Sequence, residues 1–281
     1  MPVPNFLIIG AQKSGTTWVS HRLMQHPQVF IEQGTYFFDN PTHFARGVNW
    51  YSRCFEAGAG KAAIGEKTPS YLWGEKFPAS GEATNVPRRV RDVLPHAKLI
   101  IVLRNPVTRA VSQFNHSIRS GKLSPFVNID AALTGRRPDA VRGLGIFERG
   151  LYSRQIERWF QFFPREQFQI LVFERDVMQQ PLPCLDRLCR FLSIDPAFQF
   201  KTVANRDNEK LSKIELILKY YVPPLRRVLR PIIKRLAKES FRPQSATLAH
   251  LHEAYAEERE RLATLVGVEL SCWERARSAA A

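Results

Sequence analysis

No stretch of this 281-residue chain approaches the ~20 consecutive apolar residues needed to span a bilayer. The opening residues, MPVPNFLIIGAQKSG, carry neither a charged leader nor a long apolar segment, so no secretory signal is read there. Cysteine is scarce too. Cys54, Cys184, Cys189 and Cys272 make no C-x-x-C pair and have no histidine spacing of the zinc-binding kind. They read as thiols of a reducing compartment, and a cytoplasmic protein is the expectation. Negative charge is short: 26 Asp+Glu against 41 Lys+Arg leaves a formal charge of +15. That excess concentrates anions near the surface without choosing among nucleotides, sulfated molecules, nucleic acids and acidic membranes. Gly/Ser linkers, internal repeats and low-complexity tracts are missing as well. The chain therefore reads as one domain over 1–281, with a helical, basic C-terminal part from about residue 211.

What is present is a βα alternation. Asn5–Ile9 is an apolar run of the kind that forms a strand buried on both faces, and a helix over Gly15–Gln25 follows, ended by His26-Pro27. KLIIVL (Lys98–Leu103) is a second such strand. Asn105 and Pro106 can cap and open the next helix, which runs to about Arg119 and stops at Gly121. A third strand lies in QFQILVFERD, up to Phe173, and feeds a helix holding Leu185, Leu188, Phe191 and Leu192. Strands alternating with helices predict an α/β fold, a three-layer sandwich around a central parallel sheet joined by right-handed crossovers. Near the C-terminus a further helix carries Leu248, Leu251, Tyr255, Leu262 and Leu265 at core-facing spacings.

The first strand-to-helix junction, GAQKSGTT, is P-loop-like. Gly10 and Gly15 let the backbone turn sharply, so that successive N–H groups converge on an anion at a helix N-terminus, and Ser14, Thr16 and Thr17 add hydroxyl donors. A nucleoside-triphosphate loop, however, requires lysine directly after the second glycine. Here Lys13 stands two places before it, Thr16 occupies the lysine position, and KLIIVLRNP ends its strand on Arg104 rather than on a metal-binding aspartate. A nucleotide kinase is thus disfavoured, and a short diphosphate-like anion with a good leaving group fits better.

QKSGTTW (Gln12–Trp18) resembles the 5′-phosphosulfate loop of sulfotransferases that use 3′-phosphoadenylyl sulfate (PAPS). LRNPVTRAVS (Leu103–Ser112) is similar to their 3′-phosphate motif, a strand-ending arginine followed eight residues later by serine. HPQV, YFFD, GVNWY, GEKTPSYL, YSRQIERWFQFFP and the closing LVGVELSCW resemble the heparan sulfate N- and 3-O-sulfotransferase branch and its bacterial relatives. The resemblance implies a P-loop-like sandwich, PAPS as donor, no metal, and transfer to a hydroxyl or amine of a carbohydrate or other small molecule. It also implies that Gln12, Lys13, Ser14, Gly15, Thr16, Thr17 and Trp18 hold the 5′ end of the donor, and that Arg104 and Ser112 hold its 3′-phosphate. By the same resemblance Lys13, with Lys67 of GEKTP as a second cation, would supply positive charge beside the transferring group.

One position departs from the pattern. The heparan branch places its general base three residues before the aromatic pair, and here, aligned on Phe37-Phe38, that residue is Gly34. His116, four residues after Ser112 on the same helix face, is the first substitute, Glu32 the second and Glu66 the third. Glu66 and Lys67 can also simply pair. Tyr152 and Trp159 lie at helical spacing and read first as core, with Tyr152 also a candidate at the donor. Arg206 and Lys210 of NRDNEK fall where relatives place a loop over the 3′-phosphate. The basic helix over 225–238 is an amphipathic helix that offers a peripheral membrane or polyanion contact, and a non-catalytic protein built on it is a rival expectation. No nucleic-acid-binding module is legible.

Overall fold

The computed structural model describes residues 2–74, 85–136, 141, 143–201 and 241–273. Arg206, Lys210 and the 225–238 segment lie outside the described residues. The chain, read from sequence as one domain, gathers into two compact units: Met1–Asn105 with Tyr152–Thr202 and Arg261–Arg275, and Pro106–Leu151 with Val203–Glu260 and Ala276–Ala281.

The first unit is a five-stranded parallel sheet in the order β2-β3-β1-β4-β5, formed by β1 Phe6–Gly10, β2 Val29–Gln33, β3 Ala63–Lys67, β4 Lys98–Leu103 and β5 Phe168–Val172. The central strand β1 is buried along its whole length because it is covered on both faces. Leu7 and Ile9 enter one core with Tyr51, Val90, Ile156 and Trp159, from helices Gly47–Arg53, Val86–Val93 and Tyr152–Phe160. Phe6 and Ile8 enter the other, with Val19 and Leu23 of helix α1 (Thr16–Leu23) and with Leu185 and Leu188 of the helix Pro181–Leu192. Helix, sheet and helix make the three layers that the βα alternation predicts.

The strand expected at Asn5–Ile9 runs over Phe6–Gly10, and Asn5 stands just before it, its amide donating to the Ile64 carbonyl (2.8 Å) and its side chain joined to the start of β3. That side chain donates to the Ala62 carbonyl (2.8 Å) and accepts from the Ile64 amide (3.0 Å). Strands β2 and β3 are additions to the sequence expectation. β2 lies at the sheet edge, and β3 reads AIGEK, with a glycine and two charges where a buried strand is apolar. Its glycine is forced: a Cβ on Gly65 would overlap the Phe6 ring of β1.

In the second unit the helix Pro106–Arg119 packs Val107, Ala110, Phe114 and Ile118 against Ile129 and Leu133 of the helix Ile129–Leu133 and Leu251 of the helix Ser245–Ala254. Asn115 locks this unit from its side chain, donating to the Phe241 carbonyl (3.1 Å) and accepting from its amide (3.2 Å). Gly121, expected to stop the helix, has φ +75°, the left-handed geometry of a helix C-terminus. The single C-terminal helix of the sequence reading is two, Ser245–Ala254 and Ala256–Val266.

Candidate active site

The carboxyl ends of the parallel strands are where an open α/β sheet presents ligand-binding loops. β1 leaves the sheet at Gly10, and the Ala11 amide is held by the Val102 carbonyl of β4 (2.9 Å). The chain then turns through Lys13 (φ +69°) and Gly15 (φ +92°) into α1. Thr17 is exposed, Gln12, Lys13 and Trp18 are half-buried, and Ser14 and Thr16 are buried. Ser14 is 0% exposed and its hydroxyl has no hydrogen-bond partner among the described residues. A buried hydroxyl without a partner costs stability unless something bonds it, so its position at the mouth of α1 fits an anion held by the loop and the helix dipole.

Arg104, directly after β4, stands against this loop. Its Nη1 donates to the Lys13 carbonyl (3.1 Å), and its guanidinium lies over the Phe173 ring, 5.0 Å from the centroid. The Arg104 carbonyl accepts from the Tyr152 hydroxyl (2.9 Å). Tyr152 is itself fully buried, so it braces Arg104 from the core side. The next residue is clamped as well. The Asn105 amide donates to Glu174 Oε1 (3.1 Å), Trp273 Nε1 donates to Glu174 Oε2 (2.8 Å), and Asn105 Nδ2 donates to the Trp273 carbonyl (3.1 Å).

The end of β3 supplies the second group of charges. Along a strand successive side chains alternate faces. Ile64 enters the core beneath Gly47–Arg53 and Ala63 the core beneath α1, so Glu66 takes the former face and Lys67 the latter. The two therefore do not pair, and Lys67 stands on the side of the sheet that carries α1. Among the described residues its ammonium makes no hydrogen bond or ion pair, and burial lowers its pKa from the ordinary lysine value. Glu66 is 0% exposed and fully engaged. Oε1 accepts from the hydroxyls of Thr35 (2.6 Å), Thr68 (2.5 Å) and Tyr71 (2.7 Å), and Oε2 accepts from Tyr51 (2.6 Å). Burial raises its pKa, and the four hydroxyl donors work against that rise. A carboxylate so enclosed holds structure together rather than meeting a substrate.

Of the other substitutes for a base, Glu32 is the in-register neighbour of Glu66 and so shares its face, away from Lys67. Its Oε1 accepts from the Gln33 amide (3.1 Å). Gly34 has φ +73° and donates its amide to the Lys67 carbonyl (3.1 Å). A Cβ there would meet the Tyr36 ring at 3.1 Å, so this turn is built for glycine. Ser112 (half-buried) and His116 (exposed) belong to the second unit, on the helix Pro106–Arg119. Sequence reasoning passed over Phe173, Glu174 and the hydroxyl set around Glu66. For the last a signal existed, since a charged residue inside a strand demands several donors, and GEKTPSY with GVNWY supplies three of them. Among the described residues no group of three or more His, Cys, Asp or Glu is placed to hold a metal ion, and no helix is long and apolar enough to cross a membrane.

The chain is 29% identical to mouse (Mus musculus) heparan sulfate glucosamine 3-O-sulfotransferase 5 over 198 residues, 69% of this chain and 54% of that protein. It is 30% identical to human (Homo sapiens) bifunctional heparan sulfate N-deacetylase/N-sulfotransferase 2 over 223 residues, 74% of this chain and 24% of that protein. It thus spans about half and about a quarter of the lengths of these curated relatives. The crystal structure of a sulfotransferase from Alicyclobacillus acidocaldarius superposes with a TM-score of 0.68 at 26% identity, covering 98% of this chain and all of that one. The family model described as "Sulfotransferase domain" matches residues 3–217, well over half of the chain, and the chain belongs to that family.

Proposed function

We propose that the protein transfers a sulfuryl group from PAPS to a hydroxyl or amine of a carbohydrate or similar small acceptor. The observation that carries this is the loop after β1: a buried, unpartnered Ser14 hydroxyl at the start of α1, with Arg104 bonded to the loop at the Lys13 carbonyl. The amides and hydroxyls from Gln12 to Trp18 would hold the donor's 5′ end. Arg104 would hold the 3′-phosphate, and the part of Ser112 rests on the sequence motif alone. When bound, the donor supplies the sulfuryl group and the phosphate that leaves it. Lys13 and Lys67 would supply cations where negative charge develops on the departing oxygen, the kind of stabilisation that contributes most when it is fixed in advance. The sugar acceptor is supported by the relatives, which are named as enzymes of heparan sulfate. His116, Glu32 and Glu66 are the candidates for the acceptor's base; the enclosure of Glu66 and the face of Glu32 speak against those two, and the case for His116 rests on its spacing from Ser112 in the sequence alone.

Calorimetry with 3′,5′-bisphosphoadenosine and with ATP, each with and without magnesium, tests the reading. Metal-independent binding of the bisphosphate in preference to ATP is the expected result, and Mg-dependent binding of ATP alone would overturn it. Arg104→Ala should weaken the bisphosphate by about 10- to 100-fold, the loss of charge-assisted hydrogen bonds worth roughly 1.5–3 kcal/mol. Unchanged affinity would remove Arg104 from the site.

Lys67 gives a pH signature. Its ammonium is the useful form, and its folded pKa lies below the ordinary 10.5. Activity should therefore fall on the alkaline side before pH 10.5, and Lys67→Arg, which stays protonated, should move that limb upward. A limb that does not move in the arginine variant would assign it to another group.

A further inference from the structure

We propose that Phe173 is a positioning residue of the donor site: its ring is the common shelf on which the phosphate loop and Arg104 are both set. This rests on the function proposed above. The ring meets the loop from one side. A Cβ built on Gly15 would lie 2.5 Å from Cδ2 and 2.7 Å from Cε2 of Phe173, so the glycine sits flush on the ring edge. It meets Arg104 from the other, with the guanidinium carbon 5.0 Å from the centroid, inside the range of a cation–π contact. Arg104 in turn donates to the Lys13 carbonyl, two residues before Gly15, which closes a ring of contacts from loop to phenyl to guanidinium and back to loop.

The shelf is fixed from behind. Phe173 opens a seven-residue π-helical segment, Phe173–Gln179, a rare geometry that recurs at functional sites. Asp176 pins that segment, accepting from the Val172 amide (2.6 Å) and from Arg187 Nη2 (2.6 Å). Glu174, next to the ring, holds the Asn105 amide just past Arg104. An aromatic ring beside a guanidinium attracts the cation and limits how it can turn. Phe173 therefore sets the direction in which Arg104 offers donors to a phosphate, and the height of the loop that faces the other end of the same ligand.

The test is bisphosphate affinity measured by calorimetry, which needs no turnover. Phe173→Ala should weaken 3′,5′-bisphosphoadenosine about tenfold, while Phe173→Tyr and Phe173→Trp, which keep a plane, should stay within about threefold. Phe163→Ala, at a core phenylalanine 2% exposed whose ring packs on Trp159 and Phe168, should lower Tm and leave the dissociation constant unchanged. If Phe173→Ala behaves like Phe163→Ala, losing Tm but not affinity, Phe173 is packing only and the proposal fails. A double-mutant cycle gives a second readout. Gly15→Ala collides with the ring, so Gly15→Ala/Phe173→Ala should bind better than the product of the two single losses, and strict additivity would overturn the shared shelf. Absence of bisphosphate binding by the parent protein would instead overturn the donor reading itself.

Discussion

Lys13→Ala is expected to lower kcat by about 10²- to 10³-fold, the usual cost of removing one fixed charge-stabilising group from a transition state. Affinity for 3′,5′-bisphosphoadenosine should change by no more than a few-fold. The asymmetry follows from when the charge exists. In the bound donor the bridging oxygen carries little charge, and the ammonium is most useful as the S–O bond breaks, so its loss appears in turnover rather than in binding. The backbone makes alanine the right replacement. Lys13 has φ +69°, a left-handed conformation that costs any side-chain-bearing residue about 1–2 kcal/mol. Alanine carries the same cost, whereas glycine would relieve it and mix a stabilising change into the measurement. The Lys13 carbonyl that accepts from Arg104 is also kept in both variants. Single-turnover rates at saturating donor check the result. A variant with parent-like kcat would show that Lys67 or another cation carries the leaving charge.

Which parts of this site were legible in the sequence depends on how local their causes are. β1 and β4 announce themselves because strands covered on both faces must be apolar where they are buried, and FLIIG and the LIIVL of β4 are. The loop between β1 and α1 was legible for the same kind of reason: glycines, hydroxyls and a lysine within eight residues state an anion-binding turn without help from elsewhere. β3 was not. Its glycine is dictated by the Phe6 ring on the neighbouring strand and its buried glutamate by hydroxyls at positions 35, 51, 68 and 71. Read alone, AIGEK looks like a surface turn. Phe173 was hidden likewise, since nothing in QILVFERD says that this phenylalanine will meet Gly15, 158 positions earlier. The departure at Gly34 was visible in the sequence, but its physical sense appears only in the fold. The turn after β2 uses a positive φ, its amide is engaged by β3, and the Tyr36 ring closes the space that a larger residue would need.

The fully enclosed Glu66 carries the largest expected effect on stability. Glu66→Ala would leave Thr35, Thr68, Tyr51 and Tyr71 hydroxyls in the interior with their shared acceptor gone, at a cost on the order of 3–5 kcal/mol. For a chain of this size that is a fall in Tm of about 5–8 °C, read by calorimetry or circular dichroism. Glu66→Gln keeps the shape and one acceptor oxygen and should cost less. It should also change the dependence on pH in a definite direction. Burial raises the folded-state pKa of Glu66 above the ordinary 4.5. Between 4.5 and the raised value the native state therefore binds more protons than the unfolded chain, and the stability contributed by that difference is lost as pH rises through the window. The parent should lose stability relative to Glu66→Gln over that interval, because the amide has no proton to release, and the gap should level off above it. A difference between the two that stays constant with pH would mean that the four hydroxyls balance the burial completely. A Glu66→Ala protein that melts with the parent would mean that the hydroxyls find other acceptors, and that the link between the end of β3 and the turn carrying Thr35 and Phe37-Phe38 does not depend on this carboxylate.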